Sequence, residues 1–173
     1  MDLVVSTTVQ MALKTLEIAY ELVECQPDLA DTALFSAHYG YPMTHCGNAI
    51  IVAGKSEPRL YAACVVQAAA RLDVNRTVRT LLEVRRISFA SPEETQSVTG
   101  MTIGGVTVFG LPEDMPIYLA SDLKGLDYVI LGSGTRRGKL KIDPSELTKL
   151  PNAVFVEGLS KPMGSYLNVD LKS

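Results

Sequence analysis

Histidine and cysteine are scarce in this chain of 173 residues, which has two histidines and three cysteines. Cys25, Cys46 and Cys64 are odd in number and widely spaced, so they match neither a zinc-ligand pattern nor a disulfide framework. We therefore expect reduced thiols, with Cys64 in the core of a cytoplasmic protein. His38 near a helix end is expected to have a structural or surface role. At His45, the alternatives are no catalytic role, or a metal site or Cys–His pair with Cys46.

Long apolar runs and an excess of positive charge are also missing. No run is long enough to cross a bilayer, and the N-terminus lacks the pattern of a signal peptide, so we expect no membrane association. The net charge of −3 gives no global signature of nucleic-acid binding, so RNA contact would need a local basic patch. The dinucleotide-binding GxGxxG turn and the P-loop are absent. The length and the 47% hydrophobic content favour one domain over residues 1–173.

Apolar periodicity and turn signals predict about eight short strands and four or five helices. Helices are expected over residues 7–17, 32–39, 74–82, 92–99 and 144–150. Strands are expected over residues 18–22, 48–53, 60–67, 87–89, 117–120, 128–131, 139–142 and 153–156. Because several strands follow one another directly, we predict a mixed α+β fold, with a curved mixed sheet or partly open barrel and surrounding helices. Residues 158–173 are weakly patterned and are interpreted as a loose C-terminal tail.

Glycine is concentrated in two stretches. Residues 99–110 read Thr-Gly-Met-Thr-Ile-Gly-Gly-Val-Thr-Val-Phe-Gly, and residues 132–134 read Gly-Ser-Gly after a predicted strand. Glycine inside a strand-like run marks a bulge, a positive φ or a close approach to the backbone. We interpret the first stretch as a strand broken into a backbone-lined pocket wall, with both clusters facing one cleft. The alternative is two ordinary turns.

The densest basic run is Arg136, Arg137, Lys139 and Lys141. It is either a solvated edge strand whose lysines block edge pairing or a rim that contacts phosphates beside a pocket. Five more arginines could extend the same surface, namely Arg71, Arg76, Arg79, Arg85 and Arg86.

Residues 99–110 resemble the TGxxxGGVSPFG signature of the YbaK / prolyl-tRNA synthetase-associated domain family. The resemblance covers most of the chain. It includes Asp31–Gly40 before a strand, Arg71-Leu72-Asp73 before a helix, Ser91-Pro92-Glu93-Glu94, and a strand ending in Gly132-Ser133-Gly134.

This resemblance implies a stand-alone editing deacylase that hydrolyses the ester of a mischarged aminoacyl-tRNA, typically a prolyl-tRNA carrying alanine or cysteine. It implies a partly open barrel and no metal or other cofactor. The glycine loops would hold the aminoacyl carbonyl, and a water or the substrate's own ribose hydroxyl would assist. The partners would be aminoacyl-tRNA and either a second copy of the chain or a tRNA synthetase. The alternative is a weak or silent relative that binds tRNA, a nucleotide or a protein through the same pocket.

The resemblance also implies a set of site residues. Catalytic roles fall to Asn48, Gly104 and Gly105. Substrate-binding roles fall to Val106, Phe109, Gly110, Gly132, Ser133 and Gly134. The candidates for contact with tRNA are Arg136, Arg137 and Lys139.

The chain departs from the family pattern at two positions. Asn48 stands where the family commonly has a lysine, and Val108 stands where the signature has proline. Asparagine keeps a hydrogen-bond donor but loses the charge. The loss predicts deacylation about ten- to thirtyfold slower, and a gain in rate on Asn48→Lys.

Overall fold

A computed structural model of the chain describes residues 3–163. None of the helices in that range is long and apolar enough to cross a bilayer. The α-helices are α1 (Thr7–Thr15), α2 (Thr32–Tyr39), α3 (Arg79–Leu82) and α4 (Pro92–Thr99). The hydroxyls of Ser6 and Ser91 accept hydrogen bonds from the backbone N–H groups of Val9 and Glu94, which fixes where α1 and α4 begin. The predicted N-terminal cap and Gly100 end of α4 are thereby confirmed.

Ten strands lie within the described residues. They are β1 (Glu21–Glu24), β2 (Gly47–Gly54), β3 (Leu60–Gln67), β4 (Ala70–Leu72), β5 (Ile87–Phe89), β6 (Ile117–Ala120), β7 (Val129–Gly132), β8 (Gly138–Ile142), β9 (Ala153–Val156) and β10 (Ser160–Pro162). Short 3₁₀ or π turns cover Pro27–Leu29, Met43–His45, Val74–Val78, Ser121–Gly125 and Pro144–Lys149. The strand predicted over residues 18–22 begins later, at Glu21.

The largest sheet has five strands in the order β5-β2-β3-β6-β9. β2 and β3 form the predicted antiparallel hairpin, whereas β6 pairs parallel with both β3 and β9. This mixture of antiparallel and parallel pairing, with several helices packed around it, confirms the predicted mixed α+β class.

A second sheet has the order β1-β8-β7 and is antiparallel throughout. β8 therefore lies in the middle of a sheet, so the alternative that the basic run of Arg136, Arg137, Lys139 and Lys141 is a solvated edge strand is wrong. A parallel bridge between Cys46 and Ile130 joins this sheet to the start of β2. The two sheets thus meet at one corner, beside the start of β2.

The predicted loose tail over residues 158–173 needs a correction at its beginning. Ser160–Pro162 is strand β10, which pairs antiparallel with β4. The rest of that predicted tail, residues 164–173, lies outside the described residues.

The hydrophobic core has a large and a small part. The large part lies on the five-stranded sheet and includes Cys64, as predicted, and Phe109, both fully buried. The small part surrounds Phe35 of α2, whose ring stacks on Tyr41 with centroids 5.6 Å apart. This smaller cluster packs α2 beside the corner where the two sheets meet.

The glycine-rich residues 99–110 do not form the broken strand that we predict from the sequence. Thr99 ends α4, and residues 100–110 follow it as turns and irregular backbone. Gly104 and Gly110 have φ values of +92° and +83°, a conformation that strands do not contain. The backbone N–H of Gly105 instead closes a turn on the carbonyl of Thr102 at 2.9 Å.

Candidate active site

A cavity of about 360 Å³ opens where five segments of the chain come together. The segments are the start of α2, the first half of β2, the stretch from the end of β5 into α4, the loop after α4, and the facing ends of β7 and β8. Its lining residues are Asp31, Thr32, Gly47, Asn48, Ala49, Ile50, Ile51, Ala90, Thr95, Ile103, Gly104, Val106, Gly132 and Lys139. Volumes of this size are typical of small-molecule sites.

Lys139 projects from β8 into the wall of this cavity and is only 6% exposed. Its Nζ donates hydrogen bonds to the carbonyl oxygens of Ala30 at 2.7 Å and Gly104 at 2.9 Å. The ammonium also lies 5.6 Å from the centre of the Phe35 ring. Burial lowers the pKa of Lys139. Within residues 3–163 no carboxylate forms an ion pair with it, so it is a buried cation held by carbonyl dipoles.

Asn48 lies near the start of β2 and faces the same cavity. Its Oδ1 accepts a hydrogen bond of 2.7 Å from the hydroxyl of Thr32 at the start of α2. This bond fixes the orientation of the side-chain amide. No described residue accepts from the Asn48 NH₂ group, which therefore stays available as a donor.

Arg136 lies next to the cavity, and its guanidinium is held by neighbouring groups although 31% of the side chain is exposed. Its Nε donates to the carbonyl of Pro27 at 3.0 Å, and its Nη1 donates to Asp31 at 3.1 Å and to the carbonyl of Ile103 at 2.7 Å. Asp31 occupies the predicted N-cap position of α2, but its carboxylate accepts no capping bond from the helix. The guanidinium thus ties the segment before α2 to the glycine loop.

The two glycine clusters pack directly on each other behind the cavity wall. The N–H of Gly134 donates to the carbonyl of Gly105 at 2.8 Å. A Cβ added to Gly105 would lie 2.8 Å from the carbonyl oxygen of Thr135. Gly105 does not line the cavity, and its own N–H is used in the turn with Thr102. Gly104 does line the cavity, and its N–H has no acceptor among residues 3–163.

The remaining predicted site residues divide into two groups. Val106 and Gly132 line the cavity. Phe109, Gly110, Ser133 and Gly134 do not. Phe109 is a core residue, Gly110 borders a separate cavity beside α1, and the Ser133 hydroxyl donates to the carbonyl of Val4 at 2.7 Å.

The three candidates for contact with tRNA do not form one exposed rim. Lys139 is buried, Arg136 is engaged with Asp31 and two carbonyls, and Arg137 is exposed. The sequence pattern places all three in one basic run, but the burial of a lysine depends on the strands that flank it.

Sequence reasoning did not assign Asp31 and Thr32 to the site. The only local signal there is that of a helix start, which predicts a cap and not a partner for Arg136 or Asn48. His45 lies outside the cavity lining, where its Nε2 is 2.9 Å from Asp127. Within residues 3–163, no cluster of three or more His, Cys, Asp or Glu side chains is arranged to hold a metal ion.

The model of the aminoacyl-tRNA editing domain family matches residues 26–150, which is more than half of the chain. The chain belongs to this family. The matched range includes Asn48, the glycine-rich loop and Lys139.

Solved structures support the same assignment. A candidate trans-editing enzyme for prolyl tRNA synthetase has a TM-score of 0.75 and 26% identity, covering 88% of this chain and 96% of its own. The hypothetical protein APE2540 has a TM-score of 0.79 over 89% of this chain and 99% of its own, and at 23% identity it supports the fold alone.

A curated relative matches over a shorter stretch. The uncharacterized protein YwhH of Bacillus subtilis (strain 168) is 39% identical over 59 residues. This match spans 34% of the present chain and 38% of the relative's length.

Proposed function

We propose that this domain hydrolyses the ester bond of a mischarged aminoacyl-tRNA. The observation that carries the proposal is the set of hydrogen-bond donors around the cavity, in a chain of the editing-domain family. The ammonium of Lys139, the amide of Asn48 and the N–H of Gly104 belong to three different segments that border one space of about 360 Å³.

These donors suit the chemistry of ester hydrolysis. Attack of water on the ester carbonyl places a negative charge on the carbonyl oxygen, and donors that are already in position stabilise that charge. The ester C–O bond then breaks, the amino acid leaves as a carboxylate and the ribose oxygen recovers a proton. In this proposal Lys139 supplies the positive charge that Asn48 lacks, while Asn48 orients the carbonyl or the attacking water.

The contacts of Lys139 support the idea that its positive charge is already in position before substrate binds. Two carbonyls hold its Nζ in place, and Arg136 fixes one of the two loops that carry them. A cation held in a site with little solvent acts more strongly on a developing oxyanion than a solvated lysine does. Thr32 fixes the Asn48 amide in the same way.

The test is a deacylation assay on a panel of mischarged tRNAs with the parent chain and two matched variants. Lys139→Met removes the cation from the cavity. Lys141→Met makes the same change two residues along β8, where the lysine is partly exposed and lies 3.8 Å from Glu21. We expect hydrolysis of at least one substrate, a large loss only in Lys139→Met, and cooperative unfolding of both variants.

Two results would contradict this proposal. The first is equal activity of the two variants, which would remove Lys139 from the site. The second is binding of tRNA without hydrolysis of any ester on the panel, which would indicate a silent relative.

A further inference from the structure

Four cations border another cavity, of about 490 Å³, which none of residues 136–141 lines. Lys55 lies in the loop between β2 and β3, Arg79 begins α3, and Arg85 and Arg86 precede β5. We call these four residues the basic cluster. All four are exposed, and no carboxylate lines the cavity that they share with Asn75 and Ile87.

The side chains of the basic cluster are largely free to meet a ligand. Within residues 3–163, the side chains of Lys55, Arg85 and Arg86 make no hydrogen bond or ion pair. Arg79 makes only a long bond of 3.4 Å to the carbonyl of Arg85. Four unpaired cations around one depression repel one another, and an anion bound between them relieves that repulsion.

Strand β5 connects the basic cluster to the proposed active site. Ile87 borders the basic cluster, and Ala90, which directly follows β5, lines the active-site cavity. At about 3.3 Å per residue, the path from Arg86 to Ala90 is roughly 13 Å, a distance that a few nucleotides can bridge.

Phe89 lies in sequence between Ile87, which lines the cavity of the basic cluster, and Ala90, which lines the active-site cavity. It is 58% exposed, although phenylalanine is normally a core residue, and β5 is an outer strand of its sheet. Exposed aromatic rings beside basic side chains are typical of surfaces that bind single-stranded nucleic acids, because the rings stack on bases while the cations contact phosphates.

We propose that the basic cluster binds phosphates of the RNA strand whose aminoacylated 3′ end enters the active-site cavity, and that Phe89 stacks on a base between them. This inference rests on the proposed deacylase function for the identity of the ligand. It assigns the RNA contact to the basic cluster and not to Lys139, which is buried, or to Arg136, whose guanidinium is engaged with Asp31 and two carbonyls.

Equilibrium binding of fluorescently labelled, uncharged tRNA over a range of salt concentrations tests the basic cluster. The variant Arg85→Glu/Arg86→Glu should bind more weakly. Its log–log salt slope should be lower by about 0.7 for each phosphate of a single strand that the variant no longer neutralises. The matched control is Lys14→Glu/Lys124→Glu, which changes the net charge equally at two exposed lysines elsewhere. This control should keep the parent slope.

Phe89 is tested by a second pair of variants in the same assay. Phe89→Ala should lower RNA affinity by roughly five- to 150-fold with no change in salt slope, because the substitution removes a stacking ring and no charge. Phe89→Trp should retain affinity.

The outcomes for binding and for hydrolysis can be separated. If the aminoacyl ester of adenosine alone is hydrolysed equally by the parent and the double-glutamate variant, while hydrolysis of full aminoacyl-tRNA falls, the basic cluster binds RNA outside the cavity. Cluster-dependent RNA binding without any hydrolysis would support this surface and overturn the deacylase. An RNA affinity and salt slope equal to those of the Lys14→Glu/Lys124→Glu control would overturn the surface and leave the deacylase standing.

Discussion

Asn48 and Lys139 border one cavity, which Asp31 also lines, and of the first two only Lys139 carries a charge. The resemblance to the family places a lysine at position 48, so we interpret Lys139 as supplying that charge from β8. Lys139→Met should reduce kcat/KM for aminoacyl-tRNA by roughly ten- to 150-fold, the value of one charge-assisted hydrogen bond of about 1.5–3 kcal/mol. Asn48→Lys should recover part of that loss in the Lys139→Met background.

The same substitution in the parent chain should give no gain, because two ammonium groups in one cavity repel each other. This replaces the expectation from the sequence that Asn48→Lys alone accelerates the reaction. The double-mutant cycle in kcat/KM measures the coupling between the two positions. If the two substitutions have additive effects on kcat/KM, positions 48 and 139 do not supply the same charge to the reaction.

At the scale of elements, the loop after α4 depends on close backbone packing against the loop after β7. The backbone of Thr135 leaves no room for a side chain at position 105. Gly105→Val should therefore lower the free energy of unfolding by about 1–3 kcal/mol. We do not expect a loss of pocket function alone in a protein of unchanged stability. Denaturant unfolding measures the change.

Gly125→Ala is the control for Gly105→Val. Gly125 has no neighbouring atom within 4 Å of an added Cβ and no positive φ. Its substitution should change the stability by less than about 0.5 kcal/mol. A Gly105→Val variant as stable as Gly125→Ala would contradict the packing of the two loops.

Helices α2 and α4 begin differently, and this difference predicts different consequences of mutation. The Ser91 hydroxyl caps α4, so Ser91→Ala should lower the free energy of unfolding by about 1 kcal/mol. Asp31 makes no capping bond and pairs with Arg136 in a partly exposed position, so Asp31→Ala should cost less stability. It should instead slow deacylation, because the pair helps hold the glycine loop. Thermal unfolding and kcat/KM together separate the two effects.

Local signals in the sequence were sufficient for many elements. The bounds of β3, β5, β6 and β9 agree with the prediction to the residue, because each is a short apolar run between turn residues. The position of β8 between β1 and β7 could not be predicted in this way. Its partner β1 lies more than 100 residues earlier, and that pairing helps enclose Lys139. The same limit applies to Asp31 and Thr32, whose partners Arg136 and Asn48 are set by tertiary structure.

At the scale of the whole molecule, the cavity exists only when five segments of the chain assemble. The family resemblance indicated that a site is present near Asn48 and Gly104. Residue types alone did not distinguish the residues that line the cavity from those that hold its segments in place. Association with a second copy or with a tRNA synthetase stays a prediction. Size-exclusion chromatography with light scattering measures the first, and co-purification with a tRNA synthetase measures the second.

The buried cation also gives the folded state a characteristic dependence on pH. Burial lowers the pKa of Lys139 below its ordinary value of 10.5. Between the lowered pKa and 10.5, the unfolded chain binds more protons than the folded chain, so rising pH stabilises the fold. The parent should therefore gain free energy of unfolding relative to Lys139→Met across this range, by at most about 1.4 kcal/mol per pH unit. Over the same range deacylation should decline, because the ammonium is lost.

Denaturant unfolding of the parent and of Lys139→Met at several pH values up to 10.5 measures this difference. The thiol of Cys46, whose pKa burial raises to about 11, stays largely neutral in the range. Lys141→Met provides the control, because it removes a partly exposed lysine from the same strand. Two results would show that Lys139 is not the buried cation on which the proposed reaction depends. One is that stability and deacylation change in the same direction with pH. The other is that the free energy of unfolding of the parent, relative to that of Lys139→Met, does not change with pH.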